Sequence, residues 1–228
     1  RAEYGILRKL IITLSKEKKI NFKLIVTGSH LLKKMGNTKS EIISDNLRIH
    51  RKIKIHEKNS IPSDIVYSSS LLMNGLSKVF KKLKPDLMII LGDRYEIFIS
   101  AFVATLHKIP IAHICGGEET VGSYDNQFRH AISKMSHFHF VTNKKFEQRI
   151  VSMGERKKNI FNYGSLSLEN LRNHKFVSKL NIEKKFKIKF RTKNFIISYH
   201  PETLSRAKNS ENLKEIFKSL SKFKNYSF

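Results

Sequence analysis

The sequence predicts an α/β protein built on a doubly wound parallel sheet. Short runs of β-forming residues alternate along the chain with helical patterns, which is the signature of βαβ units with right-handed crossovers. One run, residues 86–91 (DLMIIL), is apolar almost throughout, as expected of a strand buried on both faces. The runs also close on glycine-containing turns, such as Gly92-Asp93-Arg94 and Gly116-Gly117, where a sheet would hand over to its next helix.

The elements follow in order. Residues 4–15 place Ile6, Leu7, Leu10, Ile11 and Leu14 at helical spacing. Residues 22–27 (FKLIVT) read as a strand closed by Gly28 and Ser29. A helix over 69–83 leads to the strand at 86–91, and a helix over 95–107 to a strand at 109–114. Then come a helix at 125–135, a strand at 138–142, a helix at 144–153 and a strand at 160–162. Residues 195–199 (FIISY) predict another strand, ending at His200-Pro201, and 209–220 a last helix. The Lys-rich stretch from 173 to 193 has little sheet patterning beyond a possible helix. It predicts a boundary between a first domain, 1–175, and a second unit, 193–228, that contributes one strand and one helix. No repeat of fixed period is present.

Composition narrows the function classes. With 228 residues, 40% of them hydrophobic, the chain can fill one core and part of a second. No apolar run reaches the roughly 18 residues a membrane helix needs, and no signal-peptide pattern is visible. The single cysteine, Cys115, excludes an internal disulfide framework. A cytoplasmic protein is expected. The first residue is Arg1 rather than Met, already inside a helical pattern, which predicts a preceding segment. The net charge of +25 raises the possibility of a polyanion partner. Its lysines, however, fall in separated runs (16–19, 81–84, 184–189) broken by apolar residues, a pattern of solvated faces. There is no zinc-ligand spacing and no aromatic–basic ladder. Neither nucleic acid, membrane nor metal is expected as a partner.

The residues that could carry chemistry sit at strand ends, where open parallel sheets bind ligands. After residues 86–91, Gly92 permits close backbone approach. Asp93 can act as acid or base or cap the next helix, and Arg94 can hold a phosphate or a carboxylate. The second cluster is HICGGEETVG (113–122) followed by Tyr124, Asp125, Arg129 and His130. Here His113 is either a ligand-facing group or a hydrogen-bonded core histidine. Asp125 is either an active carboxylate or a helix cap, and Arg129 either functional or a solvent-facing helix residue. Cys115 reads as a small hydrophobe. In the third cluster, Pro201 forces His200 into extended geometry, placing an imidazole before a helix start, where it suits phosphate binding or proton donation.

Taken together, RAEYG (1–5), LGDRYEIF (91–98), IPIAHICGGEE (109–119), FNYGSLSLEN (161–170), YDNQFRHAISKMSHFHF (124–140) and YHPETLS (199–205) resemble the hydrolysing UDP-N-acetylglucosamine 2-epimerases. The pattern is most like the bacterial sialic-acid-pathway branch and the epimerase half of the animal bifunctional enzyme. The resemblance implies two Rossmann-like domains in a GT-B-like arrangement, a UDP-sugar substrate, no cofactor, and a homodimer. It also implies release of UDP from UDP-N-acetylglucosamine to leave N-acetylmannosamine, through a 2-acetamidoglucal that adds water with inversion at carbon 2. The proton on carbon 2 has no adjacent carbonyl to acidify it. Rupture of the C1–O bond should therefore lead, and a carboxylate can serve as base.

By that resemblance Asp93, Glu118, Asp125 and His200 are the catalytic candidates, and Arg1, Arg94, His113 and Arg129 bind or support the substrate. Arg1 would lie near the diphosphate and His200 would assist its departure. Two positions depart from the family pattern: Cys115 stands where relatives carry Glu or His, and Asn126 where they usually carry an acid. The strand that precedes Arg1 in the family and most of the second domain have no counterpart, so the chain by itself is expected to be inactive. The same motifs fit UDP-diacetylbacillosamine of the legionaminic-acid pathway equally well. A GT-B glycosyltransferase and a basic nucleic-acid-binding protein are the remaining alternatives.

Overall fold

The computed structural model describes residues 2–31, 39–55, 61–172, 176–199, 209–223 and 226–227. The chain divides into two compact units. One holds residues 1–120 and 125–172, the other 121–124 and 173–228.

In the first unit α1 (Ala2–Lys16) leads to β1 (Leu24–Thr27), a short 3-10 turn (Gly28–Leu31), α2 (Lys39–Ser44) and β2 (Ile49–Ile53). β1 and β2 pair in parallel. Successive side chains of a strand point to opposite faces, and these two strands are covered on both. Val26 packs with Tyr4, Ile11 and Ile42 under α1 and α2. Ile25 and Ile53 join the larger core with Leu72 and Leu76 of α3 (Pro62–Leu83). The Arg8 guanidinium and the Tyr4 hydroxyl both bond the Asp45 carboxylate, tying α1 to the end of α2. α3 begins at Pro62 rather than at residue 69. Proline there lacks only an N–H that the first turn leaves unpaired anyway, and its fixed φ suits a helix start. The helix ends on Lys84, whose left-handed backbone returns its N–H to the Phe80 carbonyl at 2.9 Å.

A four-stranded parallel sheet follows, in the order β3 (Met88–Leu91), β4 (Ile111–Ile114), β5 (Phe138–Val141), β6 (Ile160–Asn162). Its crossovers are α4 (Tyr95–Leu106), α5 (Asp125–Met135) and α6 (Lys144–Ser152). Ile90, His113, His139 and Ile160 are register partners across the four strands. They share one face, and against that face pack Ile99, Ile132 and Ile150 of the three helices. The opposite face is unevenly covered: Ile89 is 40% and Phe138 37% exposed, but Leu91, Ala112 and Ile114 on the same face are buried. Residues 86–91 are therefore buried on both sides only at their carboxyl end, at Ile90 and Leu91, while Leu87 and Ile89 are exposed. α7 (Leu166–Arg172) returns to α1, where the Asn170 amide donates to the carbonyls of Gly5 and Ile6 at 2.9 and 3.1 Å.

The second unit contains α8 (Lys179–Phe186), β7 (Lys193–Asn194), α9 (Asn209–Leu220) and β8 (Tyr226–Ser227). Residues 195–199, expected as a strand, are not one. Only Lys193 and Asn194 find a partner, in β8, and Ile196 is 98% exposed. A run of β-formers remains irregular when no neighbouring strand takes its backbone groups. Among the described residues no helix is long and apolar enough to cross a membrane.

Candidate active site

The carboxyl ends of β3, β4 and β5 converge on a cluster of charged side chains. β3 runs into Gly92, whose N–H donates to the Ile114 carbonyl at 3.1 Å. Asp93 follows. It does not cap α4, whose N-cap is Arg94 without any side-chain cap bond. Instead its carboxylate receives the Arg129 guanidinium from the first turns of α5. The Arg129 side chain is 7% exposed and that of Asp93 20%. Arg129 is thus a buried ion-pair partner rather than a solvent-facing residue. A second bond from its Nη2 reaches the Thr120 hydroxyl at 3.3 Å, while its Nε and Nη1 have no partner among the described residues. Burial raises the Asp93 carboxyl above the ordinary Asp range; Arg129 pulls it down, and the nearby Asp125 carboxylate pushes it up again. A carboxyl with raised proton affinity at a strand end is suited to accept and return a proton.

β4 ends in a turn that only small residues fit. Cys115 (φ 65) and Gly117 (φ 75) both adopt the left-handed region. A Cβ on Gly116 would meet Ser133 Oγ at 3.0 Å and His113 Nδ1 at 3.1 Å, and one on Gly117 would lie 2.7 Å from the Phe146 carbonyl oxygen. The turn delivers Glu118 to the Thr142 hydroxyl at the end of β5, which donates to its carboxylate at 2.9 Å. Partial burial and the adjoining Glu118 push the Cys115 thiol up to about 12, so it is a protonated, small, half-buried group.

The expected site residues divide into three sets. Asp93, Asp125 and Arg129 come together, with Asp125 as the first residue of α5, within electrostatic reach of Asp93, while Glu118 sits at the neighbouring strand end, where it acts together with Arg129 and Asp93 on Cys115. His113 and Arg94, expected as substrate-binding residues, are engaged elsewhere. His113 is fully buried, with Nε2 donating to the Gly92 carbonyl at 2.8 Å and Nδ1 facing Ser133 Oγ at 3.1 Å. It has no surface to offer a ligand and instead holds the Gly92 turn from behind. Arg94 bonds the Glu96 carboxylate through two nitrogens, at 3.0 and 2.6 Å, and lies 3.8 Å from Glu3. Two carboxylates thus neutralise its charge, which weakens its draw on a diphosphate. Arg1 and His200 lie outside the described residues.

Several residues of the cluster were not singled out from the sequence. Glu3 and His30, 3.5 Å apart, connect the first turn of α1 to the 3-10 turn that follows β1. Despite burial, bonding to His30 and the charge of Arg94 hold the Glu3 carboxyl down at about 2. Thr142 and Thr120 were missed although Thr142 directly follows a strand, the one signal that could have marked it. No group of three or more metal-ligating side chains occurs among the described residues.

This combination defines a Rossmann-like α/β domain with an acid–base cluster at the carboxyl edge of its parallel sheet, the usual ligand position in such folds. The chain belongs to the UDP-N-acetylglucosamine 2-epimerase family, whose profile matches residues 12–228. It is 39% identical over 227 residues to the GDP/UDP-N,N'-diacetylbacillosamine 2-epimerase (hydrolyzing) of Campylobacter jejuni, covering 100% of this chain and 59% of that protein. It is 36% identical to the polysialic acid biosynthesis protein P7 of Escherichia coli, covering 99% of this chain and 57% of the relative. The chain thus spans somewhat more than half the length of these relatives. The fold matches the crystal structure of UDP-GlcNAc 2-epimerase from Neisseria meningitidis bound to UDP-GlcNAc, with a TM-score of 0.81 at 21% identity, over 100% of this chain and 62% of that one.

Proposed function

We propose that the protein containing this chain is a hydrolysing 2-epimerase that converts UDP-N-acetylglucosamine to N-acetylmannosamine and UDP for sialic-acid biosynthesis in the cytoplasm. The observation that carries this reading is the largely buried Asp93–Arg129 pair, with Asp125 in electrostatic reach of it and Glu118 on the turn after β4, in a chain whose family profile runs through all four residues. In the first half-reaction the C1–O bond breaks and UDP departs with the bonding electrons. A carboxylate takes the proton from carbon 2, leaving a C1=C2 double bond. In the second, a carboxylate draws a proton from water as its oxygen joins C1, and a proton is delivered to carbon 2 on the opposite face. Asp93, with its raised proton affinity, suits the proton exchange at carbon 2. Arg129 keeps that carboxylate in place, and Glu118 or Asp125 supplies the second acid–base group. His200 and Arg1 complete the reading at the diphosphate. Residues 1–175 form the first domain and 193–228 belong to a second, nucleotide-binding one; the active assembly is a homodimer.

UDP-diacetylbacillosamine is the second reading, favoured by the 39% identity to the Campylobacter enzyme named for it. The test is to incubate the chain, alone and within its complete reading frame, with each nucleotide in heavy water and to follow the sugar by proton NMR. Free N-acetylmannosamine deuterated at carbon 2 is the expected product of the complete frame. Turnover of the bacillosamine nucleotide alone would replace the substrate, and turnover of neither would overturn the activity. The chain alone is expected to release no UDP.

A further inference from the structure

The loop after β4 is tethered residue by residue. The Gly117 carbonyl accepts from Arg149 Nη1 at 2.5 Å, and the Glu119 carboxylate from Arg149 Nη2 at 2.7 Å. The Glu118 carboxylate accepts from the Thr142 hydroxyl at 2.9 Å. Thr120 is clasped at both backbone groups: its N–H donates to Asn126 Oδ1 at 2.8 Å, and its carbonyl accepts from Asn126 Nδ2 at 2.7 Å. Thr120 also accepts Arg129 Nη2 on its hydroxyl, so the clasp reaches the Asp93–Arg129 pair. Glu119 and Thr120 are exposed, and an exposed segment without such bonds would be free to move.

We infer that Asn126 and Thr142 are positioning residues that pre-set the 118–120 segment, and with it the Glu118 carboxylate, before a sugar nucleotide arrives. The inference rests on the proposed 2-epimerase reading for what the segment then does. The chemistry at 126 is specific. A side-chain amide both donates and accepts, and so can mimic a strand partner to Thr120. A carboxylate only accepts, so an acid at this position would face the Thr120 carbonyl with like partial charge and lose the second bond. Asn126 therefore need not signal a lost catalytic acid; it fixes the loop that carries one. At Thr142 only the hydroxyl matters, and serine can replace it. Preset geometry affects rate steeply, since a shift of about 1 Å in a reacting group can cost on the order of a hundredfold.

Two measurements test this. Amide hydrogen exchange on the chain itself reads the clasp: Asn126→Ala is expected to speed exchange at Thr120 about tenfold or more, the equivalent of one lost bond. Kinetics of the complete reading frame read its purpose. Asn126→Ala and Thr142→Val are expected to lower kcat roughly tenfold or more with KM within about twofold, and Thr142→Ser to restore it. Unchanged exchange at Thr120, wild-type kcat in both variants, or failure of Thr142→Ser to rescue would each overturn the inference. Absence of turnover in the wild type would overturn the 2-epimerase reading and the catalytic purpose with it, while exchange would still report the clasp.

Discussion

His113 gives the most quantitative consequence of the fold. Its ring is fully buried between Gly92 and Ser133. The Gly92 carbonyl can only accept, so Nε2 carries the proton of the neutral ring and Nδ1 faces the Ser133 hydroxyl. That hydroxyl has one proton and two acceptors, since it also bonds the Arg129 carbonyl at 3.0 Å. Burial lowers the histidine to about 4, against the opposing pull of the Gly92 carbonyl and aided by the neighbouring His139 and Arg129. The folded value is depressed, so the stability it contributes is fully present above the unfolded value near 6.5 and is lost as pH falls through about 4. At about 1.4 kcal/mol per unit the full span is about 3 kcal/mol, and roughly 2 kcal/mol is already gone at pH 5. Glu3, held at about 2, acts in a lower window, below its ordinary 4.5, so it contributes little at pH 5. Urea unfolding at pH 7.5 and pH 5 should show the loss in the wild type and about 2 kcal/mol less of it in His113→Asn, which cannot charge. Nitrogen-15 NMR of the ring checks the same point without a substitution, expecting a neutral Nε2–H tautomer throughout this range. Parallel pH profiles of the two proteins, or a ring that titrates near 6.5, would refute the reasoning.

Three further outcomes are expected. Replacing Arg129 with Met strands the Asp93 carboxylate but also removes two nitrogens, Nε and Nη1, that have no partner among the described residues. The net loss should be about 2 kcal/mol by urea unfolding, below the roughly 3–5 kcal/mol of a fully buried pair, and Asp93→Asn added to Arg129→Met should recover most of it. Gly117→Ala combines a left-handed backbone with a Cβ 2.7 Å from the Phe146 carbonyl oxygen. It should cost about 2–4 kcal/mol by the same assay, and a neutral substitution would show that the turn relaxes freely. Cys115, pushed up to about 12, should alkylate with iodoacetamide at pH 8 on the order of a thousandfold more slowly than an ordinary thiol. Glu118→Gln should speed the reaction; equal rates would place the two side chains apart.

The sequence was legible wherever one element's own pattern decides its structure. The spans 125–135, 160–162 and 209–220 agree residue for residue with α5, β6 and α9, because helical spacing and β-branched runs bounded by turns are local signals. It was less legible where a partner decides. β2 (Ile49–Ile53) is charged at its centre and was not anticipated, yet it is held as a strand by pairing with β1. Residues 195–199 have the composition of a strand but lack the neighbour.

For the site, the sequence by itself determined which chemical groups are available and that they fall at strand ends. The Gly92-Asp93-Arg94 turn, the Gly116-Gly117 turn and Asp125 are where the pattern puts them. Only the tertiary structure decided what each group does. Asp93 binds Arg129 from a residue 36 positions away, while Arg94, its immediate neighbour, is taken up by Glu96 and Glu3. His113 is spent on the turn behind the site, and Asn126 on Thr120. The physical reason is that charge and hydrogen-bonding capacity belong to a residue, but burial and partners are properties of a place. The place exists only once the parallel sheet has brought its carboxyl ends side by side.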